Sequence, residues 1–159
     1  MKQDAESLKV TLNLPRAELR LSRNAMGRVE VYDRWRRRVV ALTPEEWVRQ
    51  HFVSMMVDCK GYPAGRIANE MSIKLNGMSR RCDTVVFDDA RHPRMIVEYK
   101  APSVRITQAV FDQIARYAMV LRPEYLAVSN GMCHYCCRID NNNGTYEFLP
   151  DFPDYSSII

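Results

Sequence analysis

The stretch that decides the fold is residues 81–101, RCDTVVFDDARHPRMIVEYKA. Two apolar runs, VVF at 85–87 and MIV at 95–97, stand on either side of the segment DDARHP, which is rich in turn-forming residues. This pattern predicts two antiparallel strands joined by a turn.

The sequence on both sides of this hairpin predicts further elements. Residues 43–46, TPEE, combine a helix N-cap, a proline at the first helical position and a glutamate at N3, so we expect a helix from there to about residue 59. We also predict a hairpin at 29–31 and 39–42, strands at 66–75, 81–88 and 94–101, a helix at 107–121, and strands at 125–128 and 132–139. The expected fold class is α/β: a central mixed sheet of four to five strands flanked by helices, in the order α-βββ-α-β.

Length and composition indicate one globular domain. The chain has 159 residues, of which 47% are hydrophobic and 26% charged, and its formal net charge is +4. We predict an N-terminal arm at 1–28, a single domain at 29–149 and a C-terminal tail at 150–159. Five cysteines, no secretion-type N-terminus and no apolar run of about 20 residues favour a cytoplasmic protein without a membrane partner.

One polar group stands out inside the apolar hairpin. Asp83 lies early in the first strand, whereas Glu98 and Lys100 lie late in the second, at i and i+2 and therefore on one face. A turn centred near Arg91 places Asp83 across from the region of Tyr99, so that two carboxylates and an ammonium should meet.

Oxygen ligands of this kind suit Mg2+ or Mn2+, which keep several waters and a substrate phosphate in their coordination shell. The chemistry that this arrangement indicates is hydrolysis of a phosphodiester. A strand that carries Glu-x-Lys is, however, commonly just a solvated cross-strand pair worth less than about 1 kcal/mol.

Together with the predicted order of elements, the motifs resemble those of the PD-(D/E)xK nuclease superfamily. More closely, the chain resembles the N-terminal nuclease domain of type I restriction enzyme R subunits, in the small stand-alone form. The motifs that carry this resemblance are TPEEWVRQ at 43–50, RCD at 81–83, VEYKAP at 97–102 and QIARY at 113–117. The resemblance implies a restriction-endonuclease-like core and a nuclease active on DNA.

The resemblance also implies roles for individual residues. Asp83, Glu98 and the backbone carbonyl of Tyr99 would bind the metal, and Lys100 would serve catalysis. Glu46 would be an accessory acid that holds the metal directly or through water, although N3 of a capping box explains a glutamate equally well. The family's Q-x-x-x-Y element is matched by Gln113 and Tyr117, which would also serve catalysis or else form a boundary pair whose polar tips reach water. The superfamily's proline before the aspartate is absent here.

Arginine dominates the basic residues and suits contacts with phosphate. The candidate DNA contacts are Arg80 and Arg81 beside Asp83, and the cluster Arg34, Arg36, Arg37 and Arg38, which could equally be a solvated face. A zinc site at CHYCC, residues 133–137, is disfavoured because a second ligand pair is lacking.

We therefore expect a Mg2+- or Mn2+-dependent endonuclease acting on DNA in a restriction system. A homodimer or other restriction-complex subunits are possible partners, and the lack of a Gly-rich phosphate loop argues against a nucleotide cofactor. The alternative is a catalytically silent nucleic-acid-binding or complex-assembly module that has a nuclease fold.

Overall fold

A computed structural model describes residues 9–159, except for the side chains of Leu75, Tyr117 and Met119. Its helices are α1 (Pro44–Cys59) and α2 (Gln108–Ala118), with short 3-10 turns at Ala64–Arg66, Met119–Leu121 and Tyr155–Ser157. Its strands are β1 (Arg20–Arg23), β2 (Val29–Asp33), β3 (Arg38–Ala41), β4 (Ile67–Leu75), β5 (Met78–Phe87), β6 (Pro93–Tyr99), β7 (Tyr125–Ser129), β8 (His134–Asp140) and β9 (Thr145–Phe148). No helix in the described part of the chain is both long enough and apolar enough to span a bilayer.

The main sheet has six strands in the order β4-β5-β6-β7-β8-β9. Every neighbouring pair is antiparallel except β6 and β7, which run parallel because α2 forms the crossover between them. The predicted α/β class, with its mixed sheet and flanking helices, is confirmed. The sheet exceeds the predicted four to five strands because β4 to β8 are joined by a sixth, β9, which pairs with β8 at the outer edge.

Helix α1 begins where the capping signal predicts. The Thr43 hydroxyl accepts a hydrogen bond from the Glu46 backbone N–H at 3.1 Å, and Pro44 occupies the first helical position. The helix ends at Cys59, before the sequence Gly61-Tyr62-Pro63, and Gly61 adopts a φ of +74° that favours glycine.

The two faces of the six-stranded sheet carry separate apolar cores. Side chains of α1, such as Phe52 and Met56, pack with Val97 on one face. On the other face, Phe111 and Ile114 of α2 pack with residues that include Ile96. Each helix therefore covers one face and fixes the position of the β5–β6 region between the two cores.

A smaller sheet precedes the main one. Strand β2 pairs with both β1 and β3, so the predicted hairpin at 29–31 and 39–42 is present. We predicted an N-terminal arm at 1–28; residues 1–8 lie outside the described part of the chain, and Arg20–Arg23 form an edge strand of this sheet. Alternation in the segment is too short to distinguish a strand from an arm by sequence.

The C-terminal segment is packed against the main sheet. We predicted a tail at 150–159, but Phe152, Tyr155 and Ile158 are buried in the core on the α1 face. The Tyr155 backbone N–H also donates to the Lys60 carbonyl at 2.9 Å. Proline-containing segments without periodicity give no sequence signal for such docking, since only the tertiary structure supplies the partners.

Candidate active site

The candidate site lies where strands β5 and β6 separate. Their backbone ladder reaches the pair Thr84↔Val97, and a bulge between Val86 and Phe87 has shifted the register by one residue from the turn onward. Continuing this register places Asp83 opposite Glu98. We predicted Asp83 opposite the region of Tyr99 from a turn centred near Arg91. The pair Phe87↔Pro93 centres the turn at Ala90 instead, and the bulge recovers only half of the resulting offset, so the observed partner differs by one residue.

Beyond the last ladder pair, side chains replace the backbone bonds between the two strands. The Tyr99 N–H donates to Asp83 Oδ2 at 2.9 Å, and the Asp83 N–H donates to Glu98 Oε1 at 3.3 Å. Each strand thus has a backbone amide bonded by a carboxylate from the other. The structure brings Asp83, Glu98 and Tyr99 together, as the sequence predicted.

Lys100 directly follows strand β6. Its backbone N–H donates to the Ser129 carbonyl of β7 at 2.9 Å. This bond fixes the backbone of Lys100 next to the part of β5 and β6 that carries the two carboxylates. Lys100 is partly exposed, and its ammonium forms no ion pair within the part of the chain that the structure describes. The side chain can therefore reach a molecule bound at this edge.

The electrostatic environment of Cys82 shows how negative the site is. Burial, followed by the negative charges of Glu98 and Asp83, raises the pKa of the Cys82 thiol to about 12. Two carboxylates therefore act on one small buried volume. Such a concentration of negative charge favours a bound cation.

Arg49 of α1 supplies a cation from inside the protein. Its guanidinium contacts Glu46 at 2.9 Å, Glu70 at 3.2 Å and Asp83 at 3.3 Å, and only 6% of its side chain is exposed. Burial by itself would lower the pKa of Arg49, but the carboxylates, with Glu46 and Asp83 first, raise it. Arg49 is thus a fixed positive charge that holds one oxygen of Asp83.

Glu46 lies in the same network but is held by arginines and an amide. Arg36 contacts Glu46 Oε1 at 2.5 Å, Arg49 contacts Oε2, and the Gln50 amide donates to Oε1 at 2.8 Å. The structure therefore brings Glu46 to Asp83 only through Arg49. Its predicted role as an accessory metal ligand stays a prediction.

The sequence reasoning missed Glu70 and Arg49. Glu70 lies in β4, where the register places it opposite Asp83, and it adopts a φ of +55°, which interrupts the ladder between Asn69↔Thr84 and Met71↔Cys82. Burial would raise the pKa of Glu70, but the charge and hydrogen bonding of Arg49, followed by Arg36, lower it. A glutamate in the middle of a predicted strand, at the position that pairs with Asp83 across the hairpin, was the signal that could have identified it.

The Q-x-x-x-Y motif on helix α2 is less closely connected to Asp83 than Arg49 and Glu70 are. Gln113 lies on the exposed side of α2 and makes no hydrogen bond to another described side chain. Tyr117 lies in the same helix, but its side chain is outside the described part of the structure. The catalytic roles predicted for both residues stay predictions.

The predicted DNA contacts divide into exposed and engaged arginines. Arg37, Arg38, Arg80 and Arg81 are exposed. Arg34 is half exposed, pairs with Asp58 at 2.7 Å and stacks over Trp35. Arg36 is largely buried and contacts Asp33, Glu46 and Glu70. In this structure its guanidinium therefore pairs with acidic side chains of the protein and is not presented to DNA.

The residues at the strand separation fit a divalent cation by donor type. Mg2+ is commonly bound through one or two carboxylates, with water and substrate oxygens completing the shell, and Asp83 and Glu98 supply two hard oxygen donors. Residues 9–159 contain no cluster of three or more His, Cys, Asp or Glu side chains arranged as a metal site. A cation here would therefore rely on two carboxylates, a backbone carbonyl and water.

Comparison with solved structures shows what this fold is similar to. A fragment described as an HsdR subunit of a type I restriction enzyme from Vibrio vulnificus YJ016 matches with a TM-score of 0.53 at 20% sequence identity. The match covers 72% of this chain and 24% of that chain, so the present chain corresponds to about a quarter of it. No curated protein matches the sequence. At this identity the likeness defines the fold, that of a restriction-enzyme R-subunit fragment.

The family follows from the sequence itself. The family model "Type I restriction enzyme R protein N terminus (HSDR_N)" matches residues 44–153, more than two thirds of the chain. The chain belongs to this family. The family resemblance drawn from the motifs is thereby confirmed, and the matched region begins at α1 and includes the β5–β6 site.

Proposed function

We propose that this chain is a metal-dependent nuclease that hydrolyses phosphodiester bonds in DNA. The observation that carries the proposal is the separation of β5 and β6, where Asp83 and Glu98 bond each other's strands directly before Lys100. Membership of the restriction R-protein family supports the same conclusion. Apolar cores on both faces of the sheet hold these strands in place.

The residues that would hold Mg2+ or Mn2+ are Asp83, Glu98 and the backbone carbonyl of Tyr99. When bound, such an ion polarises a phosphoryl oxygen and lowers the pKa of a bound water. Arg49 and the Tyr99 N–H hold the two oxygens of Asp83, which limits the rotation of this carboxylate. A carboxylate held in this way loses little conformational freedom when it binds a ligand.

Lys100 is the residue for the chemical step. Its ammonium can orient the attacking water and stabilise the negative charge that develops on the phosphoryl oxygens. The backbone bond to Ser129 fixes the origin of the side chain, while its partial exposure leaves the amine accessible to substrate.

A plasmid-nicking assay tests the proposal. We expect wild-type protein to nick supercoiled DNA with Mg2+ and not with EDTA, and Lys100→Ala to lose at least about 100-fold in rate, since charge stabilisation and proton transfer are worth this much. Lys9→Ala, at an exposed lysine outside the site, is the matched control. Full activity of folded Lys100→Ala would contradict the role of Lys100.

One observation favours a second candidate function. Asp83 is already paired with Arg49, as expected of a module that has kept the nuclease fold but binds nucleic acid or assembles a complex without turnover. Such a module would bind DNA equally well with and without a divalent ion. The absence of Mg2+-dependent nicking together with retained DNA binding would select this candidate.

The proposal extends to the setting in which the protein works. A family of restriction R proteins implies DNA and the other subunits of a restriction complex as partners, and a homodimer would allow both strands to be cut. Co-purification with a restriction methyltransferase or helicase subunit tests the first partner, and light scattering tests the second. A cytoplasmic location stays a prediction.

A further inference from the structure

The hairpin of β4 and β5 extends past the site as a two-stranded ribbon. Five consecutive pairs, from Met71↔Cys82 to Leu75↔Met78, join only these two strands, because β5 begins to pair with β6 at Thr84. Four intervals along a strand correspond to about 13 Å. We define the ribbon as residues 71–82; its base is formed by Glu70 and Asp83.

The ribbon has two different faces. Residues that oppose each other in an antiparallel pair point to the same side, so alternation sorts the pairs into two sets. Met71, Ile73 and Cys82 belong to the core beneath α2, and Arg80, the partner of Ile73, shares their face. The other face, which we call the outer face, consists of Ser72, Lys74, Ser79 and Arg81, all exposed.

The outer face opens on the side of the candidate active site. Arg81 approaches Glu70 at 3.6 Å, Glu70 contacts Arg49, and Arg49 contacts Asp83. A molecule lying along the outer face would therefore arrive next to Asp83. Arg81 is two residues from Asp83 on the same strand, and its side chain is 70% exposed.

The charge of the ribbon selects a polyanion. Residues 71–82 contain three cations, Lys74, Arg80 and Arg81, and no Asp or Glu. The outer face adds two hydroxyls, which together with lysine and arginine are the side chains that contact phosphate and sugar without reading sequence. These side chains suit a phosphate chain.

We propose that the outer face of the ribbon binds the sugar-phosphate backbone of DNA on one side of the bond that is cut. The inference rests on the proposed nuclease function and adds the path of the substrate. The proposal assigns phosphate contacts to Arg81 and Lys74. It assigns none to Arg80, which is adjacent to Arg81 and has the same charge but points to the opposite face.

Fluorescence anisotropy with a labelled duplex oligonucleotide, in EDTA and over a series of salt concentrations, tests the proposal without any cleavage. Each lost phosphate contact lowers the slope of log K against log salt by about 0.9, which is roughly an eightfold loss of affinity at 0.1 M salt. We expect this loss for Arg81→Gln and for Lys74→Gln. Arg80→Gln, the matched control, should stay within about twofold of wild type.

The outcomes distinguish this proposal from the proposed function. Two results would overturn the assignment of DNA binding to the outer face, even if the protein nicks plasmid. In the first, Arg80→Gln weakens binding as much as Arg81→Gln does. In the second, Arg81→Gln and Lys74→Gln both bind DNA as wild type does. If the variants bind DNA as expected but the wild-type protein shows no Mg2+-dependent nicking, the result would support DNA binding by the outer face and contradict the proposed nuclease activity. Lys74 has no ion partner in the described chain, so its result is independent of the Arg81–Glu70 contact.

Discussion

Arg49 carries its charge into the interior at the point where three carboxylates from three different elements meet. Glu46 comes from α1, Glu70 from β4 and Asp83 from β5. Without a cation, three such groups in a partly buried volume would repel each other, because the Coulomb interaction is strong where water is excluded. Arg49 therefore connects helix and sheet and is the cation that contacts all three acids, while Arg36 also contacts Glu46 and Glu70.

Replacement of Arg49 by methionine should keep the length of the side chain but remove the charge. We expect Arg49→Met to lower the free energy of unfolding by about 3 kcal/mol, as is typical when one partner of a buried ionic cluster is removed. Urea denaturation measures the change, with Arg38→Met at an exposed position as the control. A loss no larger than that of the control would contradict this role.

The residues of the site could be predicted only in part. Asp83, Glu98 and Lys100 belong to one hairpin, so alternation and turn position bring them together in the sequence itself. Arg49 meets Asp83 across 34 residues of chain, and no local periodicity encodes that contact, whereas Glu70 lies opposite Asp83 in the β4–β5 hairpin. Glu46 was predicted as an acid of the site, but its arginine partners depend on the same tertiary packing.

At the scale of elements, the turn between β2 and β3 depends on Asp33. Its carboxylate is fully buried and accepts hydrogen bonds from the Trp35 N–H at 2.8 Å, the Arg36 N–H at 3.0 Å and the Arg36 guanidinium. Burial alone would raise the pKa of Asp33, but these hydrogen bonds and the Arg36 charge lower it below 3.8. The ionised form of Asp33 therefore stabilises the turn that presents Arg36 to Glu46.

The pH dependence of stability should reflect this shift. Because the pKa of Asp33 is lower in the folded state, its contribution is fully present above about pH 4 and is lost as the pH falls through the folded pKa. Asp33→Asn should thus be less stable than wild type at pH 7, and the difference should shrink towards pH 2. Urea unfolding at several pH values measures it; a difference that stays constant with pH would contradict the assignment.

Elements with local signals were predicted well. Helix α1 has its cap, its proline and its C-terminal glycine within the sequence, and the structure begins and ends it there. The register of β5 and β6 was predicted one residue off, because the turn is centred at Ala90 and not at Arg91, and the bulge at Val86 and Phe87, which has no signature in a run of apolar residues, corrects only part of that offset. Such a bulge depends on packing on both faces of the sheet.

At the scale of the whole molecule, the C-terminal segment connects the end of the chain to helix α1 and the sheet. Tyr155 donates its hydroxyl to the Phe87 carbonyl at 3.1 Å, and Ile158 is fully buried. The Arg94 guanidinium donates to the Ile158 carbonyl at 2.7 Å. These contacts hold β5 and β6 at the end opposite to Asp83 and Glu98.

Two neighbouring isoleucines test the importance of this segment. Ile158→Ala should lower the free energy of unfolding by about 2–5 kcal/mol, since it creates a cavity in the core. Ile159→Ala is the control, because that side chain is 60% exposed and should change stability by less than about 0.5 kcal/mol. Thermal and urea unfolding would show equal stability for the two variants if residues 152–158 were a loose tail.

The topology as a whole could be predicted because strands, crossover helix and strands follow each other in an order that few folds share. The predicted order α-βββ-α-β is present in the structure. The sixth strand and the docked C-terminus could not be predicted, because Tyr146 and Phe148 are exposed and leave β9 without a buried face. Their positions are fixed by pairing and packing rather than by pattern.

The most direct test of the account is a calorimetric titration of the apoprotein with Mn2+. We expect one ion per chain to bind to wild type, and Asp83→Asn to remove this binding while the variant stays folded, because Asp83 and Glu98 together supply the carboxylates. Asp112→Asn, at an exposed acid of α2, should bind as wild type does. An unchanged Mn2+ isotherm for Asp83→Asn would contradict a metal site between β5 and β6.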